Sequence, residues 1–574
     1  MSNQQTAAQA LAGTSDTLQQ TLNDPPRTAP TPTAPNYAPP PTRWQRAMQK
    51  LAWSMRKFPT SQSMAMFKKY LTFAGGSAFI CTSYIDPGNY STDVQAGAQF
   101  RFHLLFVIFF SNCLAIFLQS LAIRLGTVSG RDLAQISKEQ FPRWLNLILY
   151  VLAEAAIIAT DIAEVVGTAV ALNILMHIPL IVGVIITILD VLIVLMAYRS
   201  EQSIRIIRYF EYGVAALVVG VAICFAIQLK QMPPTPAADV FRGYLPSHHL
   251  LESGAMYASC GILGATVMPH SLYLGSSIVK PRVIDKDVRL GNVPENYTSE
   301  DFDNYKPSVE AINYSLKYST VELAVSLCTF AFFVNSAILI VSGATLYNND
   351  STNTADLFSI YDSLKELISK GAATLFMVAL LLSGQSAGIV CTVAGQIVSE
   401  GYLNWNIKKT WIRRLITRTI AVVPCLIVTA AVGRKGLSQV LNASQTALSI
   451  LLPFLVFPLV YFTCKPSVMC VEVNPKKPAQ VPQNCIPLQD LGITKSDAGP
   501  SSLPNSSTLE PTFSKESKKS KESKRFTVTE TEEPEPLRVN YTNGWFVMIF
   551  GYMVWLFIAV LNVYLIVQLA MGNT

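Results

Sequence analysis

Apolar runs long enough to cross a lipid bilayer recur eleven times along this chain, near residues 72–95, 103–126, 145–173, 178–198, 205–229, 254–279, 314–344, 371–394, 414–433, 440–463 and 543–571. A helix needs about 20 apolar residues to span the hydrocarbon core. In lipid every backbone donor and acceptor must be satisfied within the segment, which leaves helices as the solution for runs of this length. The pattern predicts an all-α polytopic membrane protein. Composition agrees: 50% of the 574 residues are hydrophobic and 14% charged, against about 25% charged in a soluble domain. The +7 net charge is spread between apolar runs, which excludes a nucleic-acid-binding face. The ten cysteines sit mostly inside apolar segments and read as small hydrophobes.

Two tracts stand outside the spans. Residues 1–66 begin Gln-, Thr-, Ala- and Pro-rich and read as a disordered tail with no signal peptide. Residues 465–542 hold Ser/Pro-rich runs, a Lys cluster from Lys518 to Arg525 and an acidic patch from Glu530 to Glu535, and read as a disordered linker before the eleventh span (543–574). Residues 67–464 form the ten-helix core. Basic residues concentrate in alternate short loops, among them Arg124, Arg131, Lys138 and Arg143, then Lys280, Arg282, Lys286 and Arg289. This bias places the N-terminus and the 465–542 linker in the cytoplasm, in a plasma, endosomal or vacuolar membrane. The tails suit trafficking or ubiquitin-ligase adaptors. The sequon Asn349-Asp350-Ser351 falls in an outer loop.

Two spans do not read as continuous helices. The first contains Ser83-Tyr84-Ile85-Asp86-Pro87-Gly88-Asn89-Tyr90, and the sixth contains Gly264-Ala265-Thr266-Val267-Met268-Pro269-His270-Ser271. Pro87, Gly88 and Pro269 break the hydrogen-bond ladder, and the freed carbonyls need a partner. A bound cation is one such partner; an ordinary kink is the other reading. Asp86 favours the cation, because an acid buried in a membrane is costly and functional by default. The breaks lie five spans apart. An odd interval makes the second half start from the opposite side, as in transporters built from inverted repeats. Asp86 and Asn89 offer oxygens, the unwound turns offer the carbonyls of Ser83 and Ala265, and Met268 offers a soft sulfur. The mixture suits a divalent such as Mn²⁺ or Fe²⁺. Span three carries Glu154, Asp161 and Glu164 on one helix face. They read as a proton relay, or as a structural ion-pair network with arginines such as Arg418.

These motifs, with Thr127-Val128-Ser129-Gly130-Arg131-Asp132 after span two, Gly384-Gln385-Ser386 in span eight and Asn442-Ala443-Ser444-Gln445 in span ten, resemble the Nramp (natural resistance-associated macrophage protein) divalent-metal transporters, most of all the fungal branch with its yeast manganese transporters. The resemblance covers about residues 68–463 and not the tails. It implies a LeuT-like fold of two inverted five-helix repeats and metal–proton symport into the cytoplasm. Mn²⁺ would be the leading substrate, with Fe²⁺, Co²⁺ and Cd²⁺ beside it, and no permanently bound cofactor. It implies a metal site of Asp86, Asn89, Met268 and the Ala265 carbonyl, joined by Gln445 in one conformation. It implies proton movement through Asp86, His270, Glu154, Asp161 and Glu164. Two alternatives stay open on the residues alone: a metal-sensing membrane receptor, and a same-fold transporter of another small substrate. An enzyme is not expected, because none of the five histidines forms a zinc-protease pair.

Overall fold

The computed structural model describes residues 77, 79–197, 204–294, 305–347, 357–403, 410–472 and 538–571. The expected tail (1–66), most of the 465–542 tract, the Asn349 sequon and the Arg418 side chain lie outside the described residues.

Helix follows helix in the order of the apolar runs. The first span is helical over 79–82, irregular over 83–86, and helical again as α1 (Pro87–Phe100). Span two is α2 (Leu105–Ser129), which stops at Gly130 with φ 70, a left-handed cap that costs glycine nothing. A short helix, α3 (Leu133–Gln140), starts from a capping box in which Asp132 and Gln135 satisfy each other's backbone donors. Spans three, four and five are α4 (Arg143–Met176), α5 (Leu180–Ala197) and α6 (Ile204–Gln231). Span six is divided into α7 (Ser253–Thr266) and α8 (Pro269–Ile278), followed by α9 (Lys280–Arg289). Span seven is α10 (Val309–Ser326), one π turn (Leu327–Ala331) and α11 (Phe332–Thr345). After α12 (Leu357–Leu367) come α13 (Lys370–Leu403), α14 (Thr410–Val432), α15 (Arg434–Cys464) and, last, α16 (Trp545–Met571).

Eight of the described helical segments are long and apolar enough to cross a membrane, and Leu180–Leu189 and Thr419–Val432 are shorter apolar helices. The distribution of polarity is inverted relative to a soluble protein. Large apolar side chains such as Ile427, Phe546, Met553 and Val563 are exposed, whereas Asp86, Asn89, Asp93, Asp161, Glu164 and Gln445 are buried. Lipid, not water, is the solvent that makes this arrangement stable.

The two ends of the 465–542 tract differ from a plain linker. Cys470–Glu472 (β1) and Arg538–Asn540 (β2) pair antiparallel, with Val471 opposite Val539. Arg124 on α2 donates to the carbonyl of Tyr541 from both Nε (3.1 Å) and Nη2 (2.8 Å), which fixes the approach to α16. Three residues per strand are too few to leave an alternating signal in a sequence.

Candidate metal centre

The two breaks have the same construction. Each proline opens a helix at its first position, where the missing N–H costs nothing. The residue before a proline is pushed out of the helical region, and both preceding residues are extended: Asp86 at φ −118, ψ 164 and Met268 at φ −79, ψ 124. Asp86 and Met268 are therefore equivalent N-caps, one hard and anionic, the other soft and neutral. The carbonyl four residues before each proline loses its helical donor. Those carbonyls belong to Ser83 and Ala265. One rule thus places Asp86, Met268, Ser83 and Ala265 at matching positions of the two breaks.

Neighbouring helices occupy the other freed carbonyls of the first break. Asn335 Nδ2 (α11) donates to Tyr84 O at 3.0 Å, and Ser383 Oγ (α13) donates to Ile85 O at 2.6 Å. The first turn of α1 holds the carboxylate: Gly88 N donates to Asp86 Oδ2 and Asn89 N to Oδ1, each at 3.0 Å. Asn89 Nδ2 donates to Asp86 Oδ1 at 2.7 Å and to Tyr84 O at 3.2 Å. Because both of those partners are acceptors, the amide must turn its oxygen the other way. Asn89 Oδ1 accepts from Thr266 Oγ1 on α7 at 3.5 Å, so it points from the first break toward the second. Tyr84 OH and Ser271 Oγ, 3.1 Å apart, make the other bridge between the breaks. Gln119 Nε2 from α2 donates to Ser271 O at 2.8 Å and to its Oγ at 3.0 Å. Asp86, Asn89, Ala265, Met268 and Ser83 are all buried.

Three further elements close on this centre. Pro87 packs where a side chain on Gly167 (α4) would stand, and against Gly384 (α13). The Gln445 amide from α15 fills the space beside Gly88. Its Nε2 donates to Ser444 Oγ at 3.3 Å, and its Oε1 accepts no hydrogen bond from the described residues. Gly264 at the end of α7 meets Ser449 of α15.

The acids of span three are brought together only in part. Asp161, Glu164 and Cys391 place one ligand atom each within 4.8 Å of one another, all buried. Glu154, two turns earlier on α4, is half-buried and is not in that group. Cys391 Sγ lies 3.6 Å from Ile157 O, to which it is placed as a donor. His270 Nδ1 lies 3.4 Å from Thr160 Oγ1, which itself donates to Ala156 O. Span six therefore touches α4 one residue before Asp161. Cys391, Thr160, Asn335 and Ser383 line the candidate site without having been given a role in the sequence reading, though Thr160 stands in the span-three motif Ala159-Thr160-Asp161. Their only signal is a polar group within an apolar run.

Beyond the C-terminal end of α8 a second set of contacts joins neighbouring helices. Lys280 Nζ donates to Asp132 Oδ2 at 2.8 Å and to Gln135 Oε1 at 2.7 Å, and Arg282 pairs with Glu322 at 3.1 Å. Tyr273 OH and Tyr402 OH are 2.8 Å apart.

Ten core spans with paired proline breaks at spans one and six define a LeuT-like membrane protein, the architecture of a secondary transporter. Residues 77–481 match the family described as natural resistance-associated macrophage protein-like, or Nramp. The chain is 51% identical over 506 residues to the manganese transporter pdt1 of Schizosaccharomyces pombe, covering 88% of this chain and 86% of that protein. It is 45% identical over 512 residues to the iron transporter SMF3 of Saccharomyces cerevisiae, covering 89% of this chain and 98% of that protein. A crystal structure of the Eremococcus coleocola manganese transporter, in complex with an aromatic bis-isothiourea compound, superposes with a TM-score of 0.64 at 26% identity, covering 87% of this chain and 86% of that one. The chain belongs to the Nramp family, whose members are transporters, not enzymes.

Proposed function

We propose that this protein carries divalent transition-metal ions into the cytoplasm together with protons. Mn²⁺ is the leading substrate, with Fe²⁺, Co²⁺ and Cd²⁺ as further ones. The observation that supports this best is the equivalence of the two breaks. Asp86 and Met268 cap facing half-helices, and the Ser83 and Ala265 carbonyls are released by the same prolines. Asn89 Oδ1 accepts from Thr266 at the other break and the Gln445 amide packs beside Gly88; Gln445 would join the ligands in one conformation. One carboxylate and no thiolate make a donor set that can release its ion. The thioether favours borderline over hard cations. Relatives named as manganese and iron transporters support the same class.

Protons would move through Asp86, His270, Asp161 and Glu164, with Glu154 at one end of the stripe and Arg418 as a countercharge. The Thr160–His270 contact supports a link between the metal centre and that stripe. Release toward the cytoplasm would require the Lys280–Asp132 and Tyr273–Tyr402 contacts to part. The N-terminus would be cytoplasmic, in the plasma membrane or an endosomal or vacuolar one, with the tails open to trafficking or ubiquitin-ligase adaptors. A glycan at the Asn349 sequon and none at the Asn505-Ser506-Ser507 sequon of the 465–542 tract is the expected orientation readout. The function is tested by ⁵⁴Mn²⁺ uptake into vesicles holding the purified protein, with and without an imposed pH gradient. A saturable uptake that an inward proton gradient accelerates is expected. Saturable binding with no uptake would favour a receptor.

A further inference from the structure

The segment that returns the chain to α16 is bonded to three helical regions at once. Tyr541 N donates to Met469 O at 2.9 Å, just past the end of α15, and Asn543 N donates to Thr463 O, within α15, at 3.1 Å. Tyr541 OH donates to Asn313 Oδ1 on α10 at 3.0 Å. Arg124 on α2 is the third attachment. Its Nε and Nη2 both reach Tyr541 O, and Nη2 also lies 3.3 Å from Thr542 O. A guanidinium holds its donors in a fixed fork, which suits two successive carbonyls.

Arg124 stands on the side of α2 turned away from the second break. Gln119 and Gly126 are two turns apart and share a face. Gln119 holds Ser271, and Gly126 lies so close to the Ser276 carbonyl that a Cβ there would overlap it. That face of α2 is therefore locked to α8. Arg124, five residues after Gln119, is turned roughly 140° from it. The other partner of residues 538–543 is α15. β2 pairs with β1, which follows α15, and α16 packs on α15, with Trp555 Nε1 donating to Pro453 O at 2.9 Å. Residues 538–543 thus belong with α15 and α16, whereas α2 belongs with α8. A movement that parts α8 from α15 at this end carries α2 with it and breaks the Arg124 bonds. We propose that residues 538–543 are a strap, fastened by Arg124, that holds this end of the core closed, and that Arg124 is a positioning residue for its opening. The inference rests on the transport reading above, in which metal leaves at this end once Lys280 and Asp132 part. A hydrogen bond from a charged donor is strong enough to shift such an equilibrium by about tenfold or more.

The test is amide hydrogen exchange on the full chain in detergent without metal. In Arg124→Gln, exchange should quicken about tenfold or more in α8 and α9, while α4 keeps its rate. Among the described residues, 538–543 make no hydrogen bond to α8 or α9, so a change there reports opening and not the lost bond itself. Arg124→Lys keeps a charged donor and should restore part of the slow exchange. Tyr541→Phe removes only the bond to Asn313. It should act in the same direction more weakly, and it decides the matter if Arg124→Gln does not fold. Faster exchange confined to residues 538–544 overturns the strap and makes Arg124 a local anchor. An equal rise in α4 also overturns it and makes Arg124 a general support of the fold. No restoration in Arg124→Lys overturns the role given to the charge. Because the exchange is read without metal, these outcomes are distinct from a failure of the transport reading, which a wild-type chain that takes up no ⁵⁴Mn²⁺ would show.

Discussion

Gly88 and Gln445 are packed so closely that a single methyl at Gly88 would overlap the Gln445 amide. The contact joins the first turn of α1 to α15, and it leaves the Gln445 oxygen free to turn toward the helix breaks. Gly88→Ala should therefore disturb the centre without removing any ligand. Mn²⁺ uptake should fall at least about tenfold, or 1.4 kcal/mol, at an unchanged amount of folded protein. Gly88→Ala combined with Gln445→Ala should recover part of the loss if overlap is the cause. No recovery would mean that the α1 backbone itself has moved.

Among the described residues of the two breaks, Asp86 carries the one carboxylate, and it is the anionic metal ligand we propose. Asp86→Asn keeps the shape and an oxygen but loses the charge, and Mn²⁺ affinity should drop by more than about 100-fold, beyond the loss typical of outer partners. Wild-type affinity should fall with pH, because the proton competes for the oxygens that bind metal. The pH slope should flatten in Asp86→Asn. Equilibrium Mn²⁺ binding across a pH series separates the two: a retained slope in the variant would place the titrating ligand elsewhere.

How much of this was legible beforehand depended on how local the cause was. The breaks at Pro87 and Pro269 are read directly from sequence, because proline lacks an N–H whatever surrounds it. That rule also singles out Ser83 and Ala265. The partners of the remaining freed carbonyls, Asn335 and Ser383, come from helices about 250 and 298 residues away and leave no local trace. Gln445 was suggested by family resemblance alone; its contact with Gly88 belongs to tertiary packing. Cys391 reads as a small hydrophobe in an apolar run, and only the meeting of α13 with α4 brings it beside Asp161 and Glu164. The β1–β2 ladder was hidden because its strands are short and far apart in the chain.

The span-three acids separate proton movement from metal binding. Asp161 sits one residue after Thr160, which contacts His270, and it shares a buried cluster with Glu164 and Cys391. Asp161→Asn keeps the volume and removes the titrating group. Metal-evoked proton flux, read by a pH dye inside vesicles, should fall several-fold more than Mn²⁺ affinity does. Equal losses in both would make the cluster a structural support for α4.

Met268 should set selectivity more than affinity. Its sulfur is neutral and weakly donating, while Asp86, its counterpart at the other break, supplies the charge. In Met268→Ala a water can fill the vacated position, so Mn²⁺ uptake should fall only about tenfold or less, within 1.4 kcal/mol. Cd²⁺ should lose more, because soft ions gain most from sulfur, and Ca²⁺, which sulfur disfavours, should gain. Specificity is a difference of affinities, so a modest loss for one ion and a modest gain for another can reverse a ranking. The measurement is parallel uptake of Mn²⁺, Cd²⁺ and Ca²⁺ by wild-type and Met268→Ala vesicles. A uniform change in all three would mean that Met268 fills space as the residue before Pro269 and that its sulfur does not meet the ion.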